Sequence, residues 1–280
     1  MMRRFAHRDR TPNQNDDAAT SADDADVSPD NNQYYPSLED VLKTRYILSW
    51  KIVPEGLPSE IVDMIVDAAE YWPSTVTRLQ KKMVVHQDRD AVVVVTQPLC
   101  YDETNKKTQE NPTPKPRPHR TIHPCRKIVF TIDSRDQGWG GGRRTTPYEG
   151  SFTWFDVDVM HSAEQRAPDA PGPEFHPPQG GFQNDAPLLL PNAHKLQCNK
   201  TAVGETQRHV VTWHYQDCIE EDSVEAEEIA TETGRGCATL DGKTVRELEV
   251  GDALVVWARA RFGGWSNRVY GFWVRTFWAV

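Results

Sequence analysis

Two glycine-rich segments hold the side chains best suited to recognition chemistry. In DQGWGGGRR (Asp136–Arg144), Gly138, Gly140, Gly141 and Gly142 permit positive φ and close backbone approach. Beside them Trp139 offers a flat apolar face, and Arg143 and Arg144 offer guanidinium donors for an anion. In ARARFGGWSN (Ala258–Asn267), strand alternation puts Arg259 and Arg261 on the face opposite Ala258 and Ala260. Together with Trp265 and Asn267 they are the equipment that stacks a sugar ring or peptide and hydrogen-bonds its edges. Each segment also has a plainer reading. The first is a tight turn with Trp139 capping the sandwich edge; in the second, Trp265 covers the end of the core while the arginine stems shield apolar surface. A phosphate-cradling loop needs the GxxxxGK[S/T] pattern opening a helix, whereas this glycine loop runs into another strand.

Other chemistries find less support. Asp133, Asp136, Asp156 and Asp158 lie on or beside two strands and could supply oxygens to calcium, which takes six to eight. Asp156 and Asp158 share one face of an alternating strand, which is equally the pattern of a solvent face. His209 and His214 are five apart and so point to opposite faces of a strand, and His161, His176 and His194 form no HxH or HExxH arrangement. No GxSxG elbow is present. The five cysteines, Cys100, Cys125, Cys198, Cys218 and Cys237, show none of the paired spacing of a zinc site. The expectation is a protein without a catalytic residue set, a metal or a cofactor.

Positioning these loops falls to a mainly β chain. SLEDVLKTRYILSW (Ser37–Trp50) starts on a Ser37/Asp40 capping box, with Leu38, Val41, Leu42 and Ile47 behind it. GLPSEIVDMIVDAAEYWP follows, a helix in which Leu57, Ile61, Met64, Ile65, Ala68 and Trp72 make one apolar face, with Asp63, Asp67 and Glu70 largely opposite. Helical periodicity then disappears, except for an ambiguous acidic stretch at Glu220–Glu232. MVVHQ and AVVVVTQ (Met83–Gln97) suggest a hairpin around Asp88–Asp90. RKIVFTIDS, SFTWFDVDVM, KLQCNKTA, RHVVTWHYQD, KTVREL, ALVVWARARF and RVYGFWVRTFWAV are further strand candidates. In SFTWFDVDVM, Phe152, Trp154 and Asp156 alternate with Thr153, Phe155, Val157 and Val159. Short strands joined by Gly/Pro turns predict an antiparallel β-sandwich, jelly-roll or galactose-binding-like. The expected layout is a disordered tail over 1–33, a helical segment over 34–80, and a sandwich over 81–280 with long loops at 101–125 and 161–193.

Composition narrows the partners. Hydrophobic content is 38%, below the about 45–50% (counting Gly) of ordinary domains, so polar segments dilute the core. A net charge of −9 argues against a general nucleic-acid binder. The start, MMRRFAHRDRTPNQ, lacks the apolar region of a secretory signal, and no run nears the length needed to span a bilayer. Unpaired thiols suit a reducing compartment, so cytosol or nucleus is expected, with neither nucleic acid nor membrane as partner. Of nine tryptophans, Trp154, Trp213, Trp257, Trp273 and Trp278 fall in strand candidates and are expected in the core or cross-strand pairs; Trp139 and Trp265 fall in loops.

LPSEIVDMIVDAAEYW resembles the first half of an F-box, matching at Leu57, Pro58, Glu60, Ile61 and Ile65; the second half has no counterpart. The resemblance implies that these five residues bind a Skp1-like adaptor of ubiquitin ligases; a helix packed on the sandwich is the plainer alternative. Taken with DQGWGG, YEGSFTWFDV, GDALVVWARARFGGWSN and a terminal FWAV, most of residues 57–280 resembles a widespread group of filamentous-fungal proteins that join such a helix to a Trp-rich β-domain. The layout is also similar to phloem-lectin-like and sugar-recognising F-box proteins. Three readings stand: a recognition module whose loops bind a protein or glycan, an F-box-type substrate adaptor, and an enzyme on a β-sandwich.

Overall fold

A strand with one apolar face must cover it with another layer, and the alternation through Phe155, Val157 and Val159 demands a second sheet. The computed structural model describes residues 33–101, 116–140, 142–161, 195–237 and 239–280. Two helices, α1 (Leu38–Trp50) and α2 (Ser59–Ala68), precede β1 (Ser74–Arg78), β2 (Met83–His86), β3 (Ala91–Val95), β4 (Cys125–Arg135), β5 (Thr153–Met160), β6 (Lys195–Cys198) and β7 (Gln207–His214). After these come α3 (Val224–Thr233), α4 (Lys243–Glu247), β8 (Ala253–Ala260) and β9 (Ser266–Trp278). The strands form two antiparallel sheets, ordered β1-β9-β4-β7 and β3-β8-β5-β6, with β2 following β1 along the same edge of β9. This is the mainly β, antiparallel sandwich expected. Phe130, Ile132, Phe272 and Val274 of one sheet meet Phe155, Val256 and Ala258 of the other in a continuous buried core. Residues 1–32 of the expected 1–33 tail and most of both long loops lie outside the described residues.

Three expectations are corrected. The valine runs do not form a hairpin: β2 pairs with β9 and β3 with β8, so Asp88–Asp90 is a corner between the two sheets. Asp88 takes φ 55° there, and its N–H donates to the Ala260 carbonyl. KTVREL is a short helix, entered through Gly242 at φ 70° and held by buried Val245 and Leu248. The sandwich also begins before residue 81, since β1 belongs to the five-stranded sheet.

The helices carry the largest surprise. The capping box forms as expected, with the Asp40 N–H donating to Ser37 Oγ and the Ser37 N–H donating to the Asp40 carboxylate. In α2, however, the apolar stripe is turned outward. Ile61, Met64 and Ile65 are exposed, Met64 by 66%, while Val62 and Val66 face the sandwich and pack with Trp72 and Phe277. The acidic residues follow them inward. Asp63 pairs with Arg45 at 2.6 Å and Arg120 at 3.2 Å; Asp67 pairs with Arg120 at 2.7 Å and accepts a hydrogen bond from Trp72 Nε1 at 2.8 Å. Periodicity fixed the width of the stripe. It was silent on which side held arginines, and arginine pairing decided the orientation.

Burial alone would disfavour the charged form of Asp67, but hydrogen bonds from Arg120 and Trp72 and the nearby arginine charges outweigh it and lower its pKa. A carboxylate whose folded pKa lies below its unfolded value stabilises the fold at neutral pH, and that contribution is lost as pH falls through the lowered pKa. Asp67→Asn is therefore expected to cost about 2 kcal/mol at neutral pH, with the gap to wild type closing in acid. Urea denaturation of both proteins across that range checks it; a pH-independent gap refutes the ion-pair account.

Candidate functional site

The glycine loop after β4 is built from a buried carboxylate. Asp136 accepts the N–H of Gly138 at 2.7 Å and that of Ala202, tying this loop to the one after β6. Burial raises its pKa, which these backbone donors offset only in part. Gly138 lies so close to Gly204 that a Cβ would stand 2.7 Å from the Gly204 Cα. Thus anchored, the loop presents Trp139 with 63% of its surface exposed.

Trp139 does not stand alone. Its ring covers Gly264, where a Cβ would come within 2.7 Å of Trp139 Cη2 and where φ is +88°. Gly264 lies between Phe262, itself exposed at φ 64°, and Trp265. Phe152 meets the Phe262 ring at 4.6 Å and the Trp265 ring at 5.0 Å, edge-on in both cases. Two loops distant in sequence thereby join into one aromatic surface of Trp139, Phe152, Phe262 and Trp265. Gln87 and Asp88, from the corner between β2 and β3, border it: the Gln87 amide oxygen approaches Gly263, and its Nε2 donates to Asp88 at 2.9 Å.

The remaining predicted ligand residues divide differently. Arg259 and Arg261 are not on the surface; Arg261 is 2% exposed. Both pair with Asp90, Arg259 at 2.5 Å and Arg261 at 2.6 Å, and Arg259 also pairs with Asp156. Arg261 lies 5.3 Å from the centre of the Trp154 ring. Asn267 is fully buried: its Nδ2 donates to the Trp154 and Arg259 carbonyls, and its Oδ1 accepts from Asn199. These three expected contacts serve the frame and are unavailable to a ligand here, because unpaired charges and amides cannot be buried cheaply and their partners come with them. Arg143 is exposed, and Arg144 is half-buried against Gly140. Of the F-box-like set, Pro58, Glu60, Ile61 and Ile65 are exposed and Leu57 is half-buried against Val62, Val66 and Trp72.

Asp133 pairs with Arg208 at 2.6 Å, and among the described residues no three His, Cys, Asp or Glu side chains group to hold a metal. His209 sits behind Tyr148, whose hydroxyl is 3.2 Å from Nε2; burial, helped by Lys200, pushes its pKa down to about 4 and keeps it neutral. Sequence reasoning missed Phe152, Phe262 and Asp90 as parts of the site. Phe262 was detectable as the aromatic before the Gly-Gly turn; Asp90 had no local signal, since its partners lie about 170 positions along the chain.

No protein-family model matches the chain, and no match is found among curated proteins or solved structures. The site therefore stands on its geometry. Gly264→Ala is expected to push Trp139 off the turn at a cost of about 1 kcal/mol or more, with a changed indole emission that is absent in a Trp139→Phe background. Unchanged fluorescence would show that the two loops are independent.

Proposed function

We propose that this protein is a non-catalytic recognition adaptor whose aromatic sandwich rim binds a partner protein or a glycan. The observation that carries the reading is the covering of Gly264 by Trp139. It assembles an exposed aromatic platform from rigidly held loops, and flat aromatic rings with a polar margin suit both sugar rings and peptide side chains. The frame beneath favours recognition without catalysis: the buried arginines are occupied by Asp90 and Asp156, and His209 is kept neutral out of solvent. Five free thiols fit a reducing compartment, so action in the cytosol or nucleus belongs to the same proposal.

A second reading, an F-box-type substrate adaptor, is favoured by the outward stripe of α2. Ile61, Met64 and Ile65 are joined on α1 by exposed Leu42, Tyr46 and Trp50, which recur every four residues on one helical face. Exposed apolar stripes of this kind mark protein interfaces. Under this reading the helices dock a Skp1-like adaptor while the aromatic rim selects the substrate.

The two surfaces can be tested separately because their residues are exposed and dispensable to the core. Trp139→Ala is expected to abolish retention by the protein's glycan or protein ligand, screened on a glycan array and by affinity capture, with the melting temperature preserved. Ile61→Ser combined with Met64→Ser is expected to abolish capture of purified Skp1-like adaptor and leave rim binding intact. Turnover of a substrate that disappears on changing His209 would overthrow the non-catalytic reading.

A further inference from the structure

The turn that carries Trp139 is held by a group that a proton can switch off. Asp136, fully buried just past β4, commits both carboxylate oxygens: Oδ1 accepts the Gly138 N–H at 2.7 Å, and Oδ2 accepts the Ala202 N–H. The first bond folds the chain back beneath Trp139, and the second joins that turn to the connection between β6 and β7. Both donor residues have left-handed backbones, Gly138 at φ 84° and Ala202 at φ 57°. Glycine takes such a φ freely, but alanine does so at a cost, so Ala202 stays there because it is held. Other ties at this place do not change with acid: Gln137 Nε2 donates to the Trp139 carbonyl at 2.6 Å, and Arg135 Nη1 donates to the Gly204 carbonyl.

A carboxylate accepts at both oxygens, whereas a carboxylic acid turns one of them into an O–H donor. On whichever oxygen of Asp136 the proton lands, a donor then faces a donor, and one of the two buried ties breaks. Loss of the Gly138 tie opens the turn under Trp139. Loss of the Ala202 tie frees a strained backbone two residues from Gly204, the glycine packed against Gly138. Burial pushes the pKa of Asp136 up; the N–H groups of Gly138, Ala202 and Val203 and the charge of Arg144 pull it down without cancelling the rise. The other charged groups around this turn are Arg135, bonded to Tyr270 and Gly204, and Lys200 and Glu205 on the β6–β7 connection. Glu149 also lies nearby, and the Thr145 N–H and hydroxyl that it accepts lower its pKa, so it keeps its charge where Asp136 loses it. A carboxylate whose folded pKa is raised weakens the fold while charged and ceases to do so as pH falls through that pKa. The turn therefore opens with the sandwich intact.

We propose that Asp136 is a proton-operated latch for the aromatic rim: charged, it holds Trp139 over Gly264, and on protonation it releases the turn and dismantles the platform. The regulatory use of this latch rests on the recognition role proposed above, since binding through the rim is then confined to the pH range in which Asp136 is charged. The test uses the full-length chain without ligand. Tryptophan emission is followed from neutral pH down to about pH 4, and the Trp139 contribution is taken by difference from Trp139→Phe. It should change in a single step whose midpoint lies above that of an ordinary aspartate, with far-UV circular dichroism unchanged through the step. Arg144→Gln, which removes a charge favouring the carboxylate, should move the midpoint up. Asp136→Asn, whose amide also presents a donor to one of the N–H groups, should show the released emission at neutral pH and no step. That variant separates Asp136 from His209 and Asp156, which also titrate in acid. Absence of the step overturns the latch, as does a step that persists in Asp136→Asn, one unmoved by Arg144→Gln, or one that coincides with loss of the β signal. Any of these leaves the binding proposal standing, whereas an intact step in a protein whose rim retains no ligand fails the binding proposal alone.

Discussion

A polar layer buried between the two sheets ties together the strand ends from which the aromatic loops leave. Ser134 Oγ donates to Asn199 Oδ1 at 2.6 Å, and Asn199 Nδ2 donates to Thr153 Oγ1 and Asn267 Oδ1, both at 3.0 Å. All four residues are fully buried. Ser134 and Asn267 belong to β4 and β9, Thr153 begins β5 of the opposing sheet, and Asn199 follows β6. Apolar packing tolerates small slides between layers, whereas hydrogen bonds in a low-dielectric interior are directional and costly to leave unmade. The network therefore sets the register of one sheet over the other at this end. Asp136, two residues beyond Ser134, extends the same control to the Trp139 loop.

The charged groups obey the same rule of compulsory pairing, and they settle what faces outward. Arg259 and Arg261 alternate with core alanines, so they project from the outer face of β8 and its continuation, where Trp154 and Trp257 also lie. Asp90 answers both guanidinium groups from the corner between the sheets, which is why the chain turns there and does not close a β2–β3 hairpin. Burial raises the pKa of Asp90 on its own; the hydrogen bond from Arg261 and the charge of Arg259 more than reverse this. In α2, Asp63 and Asp67 are drawn inward by Arg45, Arg120 and Arg126, and the apolar stripe is left to solvent.

This contrast explains how much was legible in the sequence. Strand periodicity is local, and the alternating face of β5 and the capping box of α1 were both readable from neighbouring residues. The meeting of the Trp139 loop with the Phe262–Trp265 turn was legible only as two loop tryptophans next to glycines; it depends on the packing of Trp139 over Gly264 and on the register set by Asn199 and Asn267. Elements governed by distant charge partners were misread. Arg259 and Arg261 had the look of ligand contacts because Asp90 cannot be assigned to them by spacing, and the α2 stripe had the look of a core face because Arg120 and Arg126 lie far along the chain. Lys243–Glu247 is too short for any period to decide between helix and strand, and its Gly242 entry carried the only local signal.

Strand β9 relates the surfaces to one another. At about 3.3 Å per residue, the distance along it from Ser266, next to the aromatic turn, to Phe277, under the helices, is roughly 35 Å. Pairing on the edge opposite β4 places β2 near the first end, against Ser266–Val269, and β1 near the second, against Trp273–Phe277. The β1–β2 connection is held between them, with the Leu79 N–H donating to the Phe272 carbonyl. The aromatic rim and the outward helical stripe thus lie towards opposite ends of one continuously hydrogen-bonded strand, flanked on its other side by β4 over ten residue pairs. Coupling between sites requires an element with two arrangements of similar energy. A central strand paired on both edges is a poor candidate for such an element, so a change at one end of β9 has no second arrangement through which to reach the other.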